Sequence, residues 1–212
     1  MHRYRLKVLL NLLACTPPIE VPQGLDTLDP ENQAAWPEDM AEGLNVVGGV
    51  ESDDLIWAHA RGYIHAPLAD VWDGLQEPLV VLDRAEVDEW EHIGEEEGYD
   101  VSFVLHCVSY NIADVDWDMA YRQSAVAGTV DAPEMVAIRA ERTEGSTFFP
   151  ELLTWSLHLE EVDEGITQWA FVEHMRSLQN SSEPVEAFAD ALYVDAHAWA
   201  HGEDLPDVSG DE

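Results

Sequence analysis

The strongest constraint in this chain is a series of alternating strands followed by one amphipathic helix. Residues 100–110 (DVSFVLHCVSY), 117–127 (WDMAYRQSAVA), 134–142 (EMVAIRAER), 152–162 (LLTWSLHLEEV) and 166–176 (ITQWAFVEHMR) are rich in β-branched and aromatic residues. Turn residues separate them, and Asp163-Glu164-Gly165 between the last two predicts a tight hairpin. Successive strands joined by short turns pair antiparallel. Alternation gives each strand one apolar face: Trp117, Met119 and Tyr121 on one, and Leu153, Trp155, Leu157 and Leu159 on another. In the last strand Trp169, Phe171 and Met175 lie opposite Gln168, His174 and Arg176. Such faces must be covered. The expected cover is a C-terminal helix, in which Val185, Phe188, Leu192, Ala196 and Trp199 recur at spacings of three and four. Ser182 is its expected N-cap and Pro184 lies in its first turn, while Gly202 and Pro206 stop it.

Upstream, residues 55–64 (LIWAHARGYI) predict a first strand. Ala66-Pro67 ends it. A short helix follows over 68–76, with Leu68, Val71, Trp72 and Leu75 on one face, and Glu77-Pro78 closes that helix. Residues 87–93 form a weaker strand candidate. The whole predicts one α+β domain over residues 51–203.

Charge narrows the partners. The chain carries 44 acidic against 9 basic residues. A surface this anionic repels phosphate backbones, which argues against nucleic-acid binding. The acids are spread along the chain, as on a well-solvated surface.

The first fifteen residues read as a targeting signal. Arg3, Arg5 and Lys7 precede a short apolar stretch that ends in Leu12-Leu13-Ala14-Cys15. This resembles the signal and lipobox of bacterial lipoproteins. The resemblance implies lipidation of Cys15, a membrane anchor and a place at the bacterial cell envelope; without a working signal the protein would stay in the cytoplasm. Residues 16–50 are Pro-rich and acidic and predict a tether without regular structure, part of which packs on the domain near residues 36–47. Residues 204–212 predict a short acidic tail. Cys107 is then the remaining cysteine, so the mature chain has no internal disulfide.

The order strand, helix, long sheet, long helix is that of a helix-grip fold. The stretch Tyr63-Ile64-His65-Ala66-Pro67-Leu68-Ala69-Asp70-Val71-Trp72 resembles the opening motif of the START-like, polyketide cyclase-like (SRPBCC) superfamily. The last two strands and the C-terminal helix resemble that family's closing elements. The resemblance implies a curved antiparallel sheet wrapped around the C-terminal helix, with an apolar cavity between them. It implies binding or carriage of a hydrophobic small molecule, such as a lipid or a polyketide. It carries no cofactor and no universal catalytic motif.

Candidate cavity residues follow from this placement: Trp117, Tyr121, Arg122, Arg139, Trp155, Trp169, Phe171, Phe188, Leu192 and Trp199. The aromatics either line a pocket or fill a core. Arg122 and Arg139 either hold a ligand carboxylate or pair with surface acids. His106, His158 and His174 lie on strands, where one could act as a general base. His197 and His201 stand four apart on the C-terminal helix, near Asp195 and Glu203 in sequence. Two histidines are a weak metal signal and HExxH is absent, so the sequence assigns no metal. Nucleophile elbows, P-loops and dinucleotide-binding motifs are absent too. Carriage is therefore the first expectation. A cyclase/aromatase-type enzyme using a cavity His or Arg is the second, and an interaction module with a filled interior is the third.

Overall fold

A computed structural model describes residues 21–110, 115–145, 151–176 and 180–207. The proposed signal, with Cys15, lies outside these residues, as does the end of the acidic tail. Eight strands form one sheet: β1 Gly43–Val50, β2 Leu55–Ile64, β3 Glu89–Gly94, β4 Val101–Ser109, β5 Val115–Thr129, β6 Ala132–Gly145, β7 Leu152–Asp163 and β8 Ile166–Arg176. Among the described residues three α-helices accompany them, α1 Leu68–Gly74, α2 Pro78–Val81 and α3 Glu183–Ala200, with one 3-10 turn at Glu38–Met40. Every strand pair is antiparallel, in the order β1-β2-β8-β7-β6-β5-β4-β3. The chain order is a meander except where β8 closes against β2. That pairing folds the sheet into a curved trough, and α3 lies along its concave face.

The alternation read from the strands sets this face. Trp117, Met119, Tyr121, Trp155, Leu157, Leu159, Trp169 and Phe171 point inward and are buried in one core with Phe188, Ala189, Leu192, Tyr193 and Ala196 of α3. Leu68, Val71 and Trp72 of α1 join the same core. Trp72 Nε1 donates to Gln123 Oε1 at 2.7 Å, and Gln123 Nε2 donates to the Leu75 carbonyl at 2.6 Å. This buried amide satisfies both partners and fixes α1 on β5. Glu164-Gly165 turns the β7–β8 hairpin, with Gly165 at φ 70°.

Two expectations need correction. Ser182 precedes α3 but makes no side-chain cap bond; instead Ser181 Oγ accepts from the Glu183 N–H at 3.2 Å. The tether expected over 16–50 is too long. Gly43–Val50 is an edge strand of the sheet, paired with β2 along its length. The glycines that hide it from pattern reading sit under neighbouring side chains: a Cβ on Gly49 would come within 2.7 Å of the Trp57 ring, whereas the flexible end of Glu186 over Gly48 could swing aside.

The segment before β1 is also bound to the domain. It crosses the convex face of the sheet as a strap. Leu25 and Ala34 are buried on that face. The Leu28 N–H donates to Ser156 Oγ at 3.0 Å, and the Gln33 N–H to His59 Nδ1 at 2.9 Å. Asn32 Nδ2 donates to the carbonyls of Ala60 and Phe171, and Arg61 Nη1 to that of Ala34. A convex face with buried His59, Ala137, Ser156 and Val172 needs such a cover. Pro and acidic composition obscured this role, because the strap bonds through backbone groups and isolated anchors.

Candidate functional site

A cavity of about 50 Å³ lies between the concave face, Phe188 of α3 and the loop after α2. Trp117, Met119, Tyr121, Leu153, Trp155 and Phe188 form its apolar wall, with Cys107, Val81, Leu82 and Val87. It is small: liquid water takes about 30 Å³ per molecule. Ligand pockets usually offer about 300–1,000 Å³. The shortfall has a structural cause. The rings that would line a large pocket lean on each other instead. Phe103 stacks on Tyr121 with centroids 4.8 Å apart, Tyr121 meets Trp155 edge-on at 5.9 Å, and Trp155 and Phe188 lie 6.4 Å apart.

Two carboxyl groups, Glu173 and Asp83, line this apolar space. Glu173 is 2% exposed, and its Oε2 has no hydrogen-bond partner. Burial, and secondarily the Asp83 charge, push its pKa well above the ordinary carboxylate range, so it is held as the neutral acid. Asp83 is pushed up to about 6, first by burial and then by Glu86, against the lowering effect of the Ala85 and Glu86 N–H groups. The neighbouring Arg84 fixes the loop, forming a bidentate pair with the buried Asp195 of α3, the shortest N···O distance being 2.6 Å. Cys107 is a neutral thiol, its pKa raised to about 12 by burial and then by Asp118.

Of the sequence candidates, Trp117, Tyr121, Trp155 and Phe188 meet at the cavity. Phe171 and Leu192 are buried in the surrounding core. Trp169 packs edge-on against Tyr193, and Trp199 lies on α1, its Nε1 donating to Asp73 at 3.2 Å. The two arginines face the other way. Met119 and Tyr121 point inward, so Arg122 must point outward; Ile138 and Ala140 do the same to Arg139. On the convex face Arg122 is gripped by Glu96 and Glu141, and Arg139 donates to the Asp26 carbonyl of the strap. His106 pairs with Asp118 at 2.7 Å, and the His158 ring meets the Leu25 carbonyl of the strap at 3.3 Å. No histidine or arginine lines the cavity among the described residues.

Glu173 and Asp83 were missed by sequence reasoning. The signal for Glu173 was available: it shares parity with Trp169, Phe171 and Met175, so it had to point inward. Asp83 lies in a loop, where no periodicity reveals direction.

Comparisons with known proteins give a fold. No family model matches the chain, and no curated protein matches it. Among solved structures it resembles human STARD10, with a TM-score of 0.55 and 11% identity over 76% of this chain and 72% of that one. It also resembles human StAR-related lipid transfer protein 5, with a TM-score of 0.50 and 15% identity over 76% of this chain and 83% of that one. A third is the human StarD13 (DLC2) lipid transfer and protein localization domain, with a TM-score of 0.50 and 14% identity over 76% and 84% of the two chains. With its eight-stranded antiparallel sheet closed over one long C-terminal helix, the chain has the START-like helix-grip fold.

Proposed function

We propose that the domain binds a small hydrophobic molecule in the space between the sheet and α3. The observation that carries this reading is Glu173: a buried carboxyl oxygen without a partner, facing an aromatic-walled cavity. Leaving such a group unsatisfied costs about 1–3 kcal/mol, which a ligand donor or acceptor would recover. The lipid-transfer names of the structural neighbours agree with an apolar ligand. The ligand is compact, or it enters by rotating Trp155 and Phe188. Binding suits this interior better than cyclase chemistry, because the thiol is neutral and the cavity wall offers neither imidazole nor guanidinium.

The test is titration with a neutral apolar dye such as N-phenyl-1-naphthylamine. Saturable binding is expected, and Leu153→Phe, which fills the cavity, is expected to abolish it. No saturable binding of either this dye or a compact probe such as indole, or equal binding by Leu153→Phe, rejects the reading. In that case the interaction module with a filled interior gains support, for which the ring-on-ring packing already speaks.

The place of action is inferred separately. The basic start and Leu12-Leu13-Ala14-Cys15 support anchoring at the bacterial cell envelope through a lipid on Cys15. Metabolic labelling with a fatty-acid analogue tests it, with label expected on the native chain and lost in Cys15→Ser. Unlabelled native chain rejects it.

A further inference from the structure

The last turn and C-cap of α3 present two imidazoles, His197 and His201, to one carboxylate. Glu42, just before β1, places Oε1 3.3 Å from His197 Nε2 and 3.4 Å from His201 Nε2. The three atoms lie within 4.8 Å of one another. Nε–H···O bonds usually run near 2.9 Å. Ligands about 2.0–2.1 Å from a tetrahedral zinc ion stand about 3.3–3.4 Å apart. Both distances from Glu42 match that edge.

The arrangement is held from outside. The His65 backbone N–H donates to Glu42 Oε1 at 2.7 Å. The Tyr193 ring lies 6.2 Å from that of His197, and its hydroxyl donates to the Tyr63 carbonyl at 2.6 Å. Each of the three side chains is about one-third exposed, which leaves solvent to complete the coordination. The C-terminal end of a helix also favours a cation. Asp195 and Glu203, the acids nearest in sequence, take no part in the cluster. Asp195 is held by Arg84.

We propose that Glu42, His197 and His201 form a binding site for zinc or a similar borderline divalent cation, with water as a further ligand. Two imidazoles and one carboxylate suit such ions better than Mg²⁺ or Ca²⁺. The strongly negative surface raises the local concentration of any divalent cation. The bound ion joins the start of β1 to the end of α3, two segments far apart in sequence, so it stabilises the fold by linkage.

The experiment uses the full chain in excess Mg²⁺, which occupies the many surface carboxylates. Zn²⁺ is titrated calorimetrically, and Co²⁺ is followed by its visible absorption. One Zn²⁺ per chain and the intense Co²⁺ bands of four- or five-coordinate geometry are expected. His201→Ala, at the exposed helix end, is expected to weaken binding more than about tenfold, and His197→Ala and Glu42→Gln similarly. Circular dichroism shows that each variant is folded; His201→Ala alone decides should another fail. Zn²⁺ affinity unchanged in His201→Ala, no binding over Mg²⁺, or a weak octahedral Co²⁺ spectrum would overturn the proposal.

Discussion

Glu173 on β8 is the register partner of Trp155 on β7, and both side chains lie on the concave face. A carboxyl therefore sits beside an indole inside the core, on a strand whose inward residues include Trp169, Phe171 and Met175. Folding must keep Glu173 neutral or leave a bare charge there.

This sets a pH dependence. Glu173 and Asp83 both have raised folded pKa values, Asp83 reaching about 6 from 3.8. Their contribution to stability is fully present below the ordinary carboxylate pKa and is lost as pH rises, for Asp83 through about 6. The buried His59 and the half-buried His158 and His174 oppose this trend in acid, since their values are lowered, first by desolvation. Comparing Glu173→Gln with the native chain isolates the carboxyl. The variant is expected to gain stability relative to the native chain as pH rises from 5 to 8. The gain is at most about 1.4 kcal/mol per unit while Glu173 stays protonated. Urea midpoints at several pH values measure it, and a gap that shrinks with rising pH contradicts the assignment.

Gly74 tests the contact between α1 and α3. A Cβ there would lie 2.7 Å from the Trp199 ring. Alanine favours a helix by about 1 kcal/mol over glycine, but overpacking costs about 1–3 kcal/mol. Gly74→Ala is expected to destabilise the native chain and to become neutral or stabilising in a Trp199→Ala background. A double-mutant cycle in urea reads the sign.

The strap and β1 test the domain boundary. A chain starting at residue 51 lacks both and exposes the β2 edge. Bare edges pair with other chains. Size-exclusion chromatography is expected to show aggregation of that chain and a well-behaved species for one starting at Pro22. Leu25→Ala in the full chain is expected to cost about 2–4 kcal/mol, as other deletions of buried leucine do.

Self-repulsion gives a fourth expectation. A formal charge of −35 opposes compaction, and salt screens it. The melting temperature should rise with NaCl. A flat or falling midpoint would mean that pairs such as Arg122 with Glu96 and Glu141 dominate.

Much of the fold was legible because burial imposes a period. β2 and β8 begin and end where alternation predicts, and α3 follows its three-and-four spacing. β1 was hidden because Gly43, Gly48 and Gly49 weaken any strand pattern. The aromatic wall was half legible: Trp117, Tyr121, Trp155 and Phe188 reach the cavity, whereas Trp199 was placed by α1, which periodicity cannot see. For Arg122 and Arg139 residue type left two readings open, and strand parity decides for the outward one. Glu42 was out of reach, since its tie to His197 and His201 depends on the β1–β2 pairing.

The strap also changes the scale of any attachment at Cys15. Between that residue and Pro22 lie six residues, 16–21, not the thirty-five of the segment read as a tether. Fully stretched, that length of chain spans at most about 25 Å. A lipidated form would ride against the headgroups, with its acidic surface held away from anionic lipids by charge alone. Its working radius would be that of a surface-bound domain.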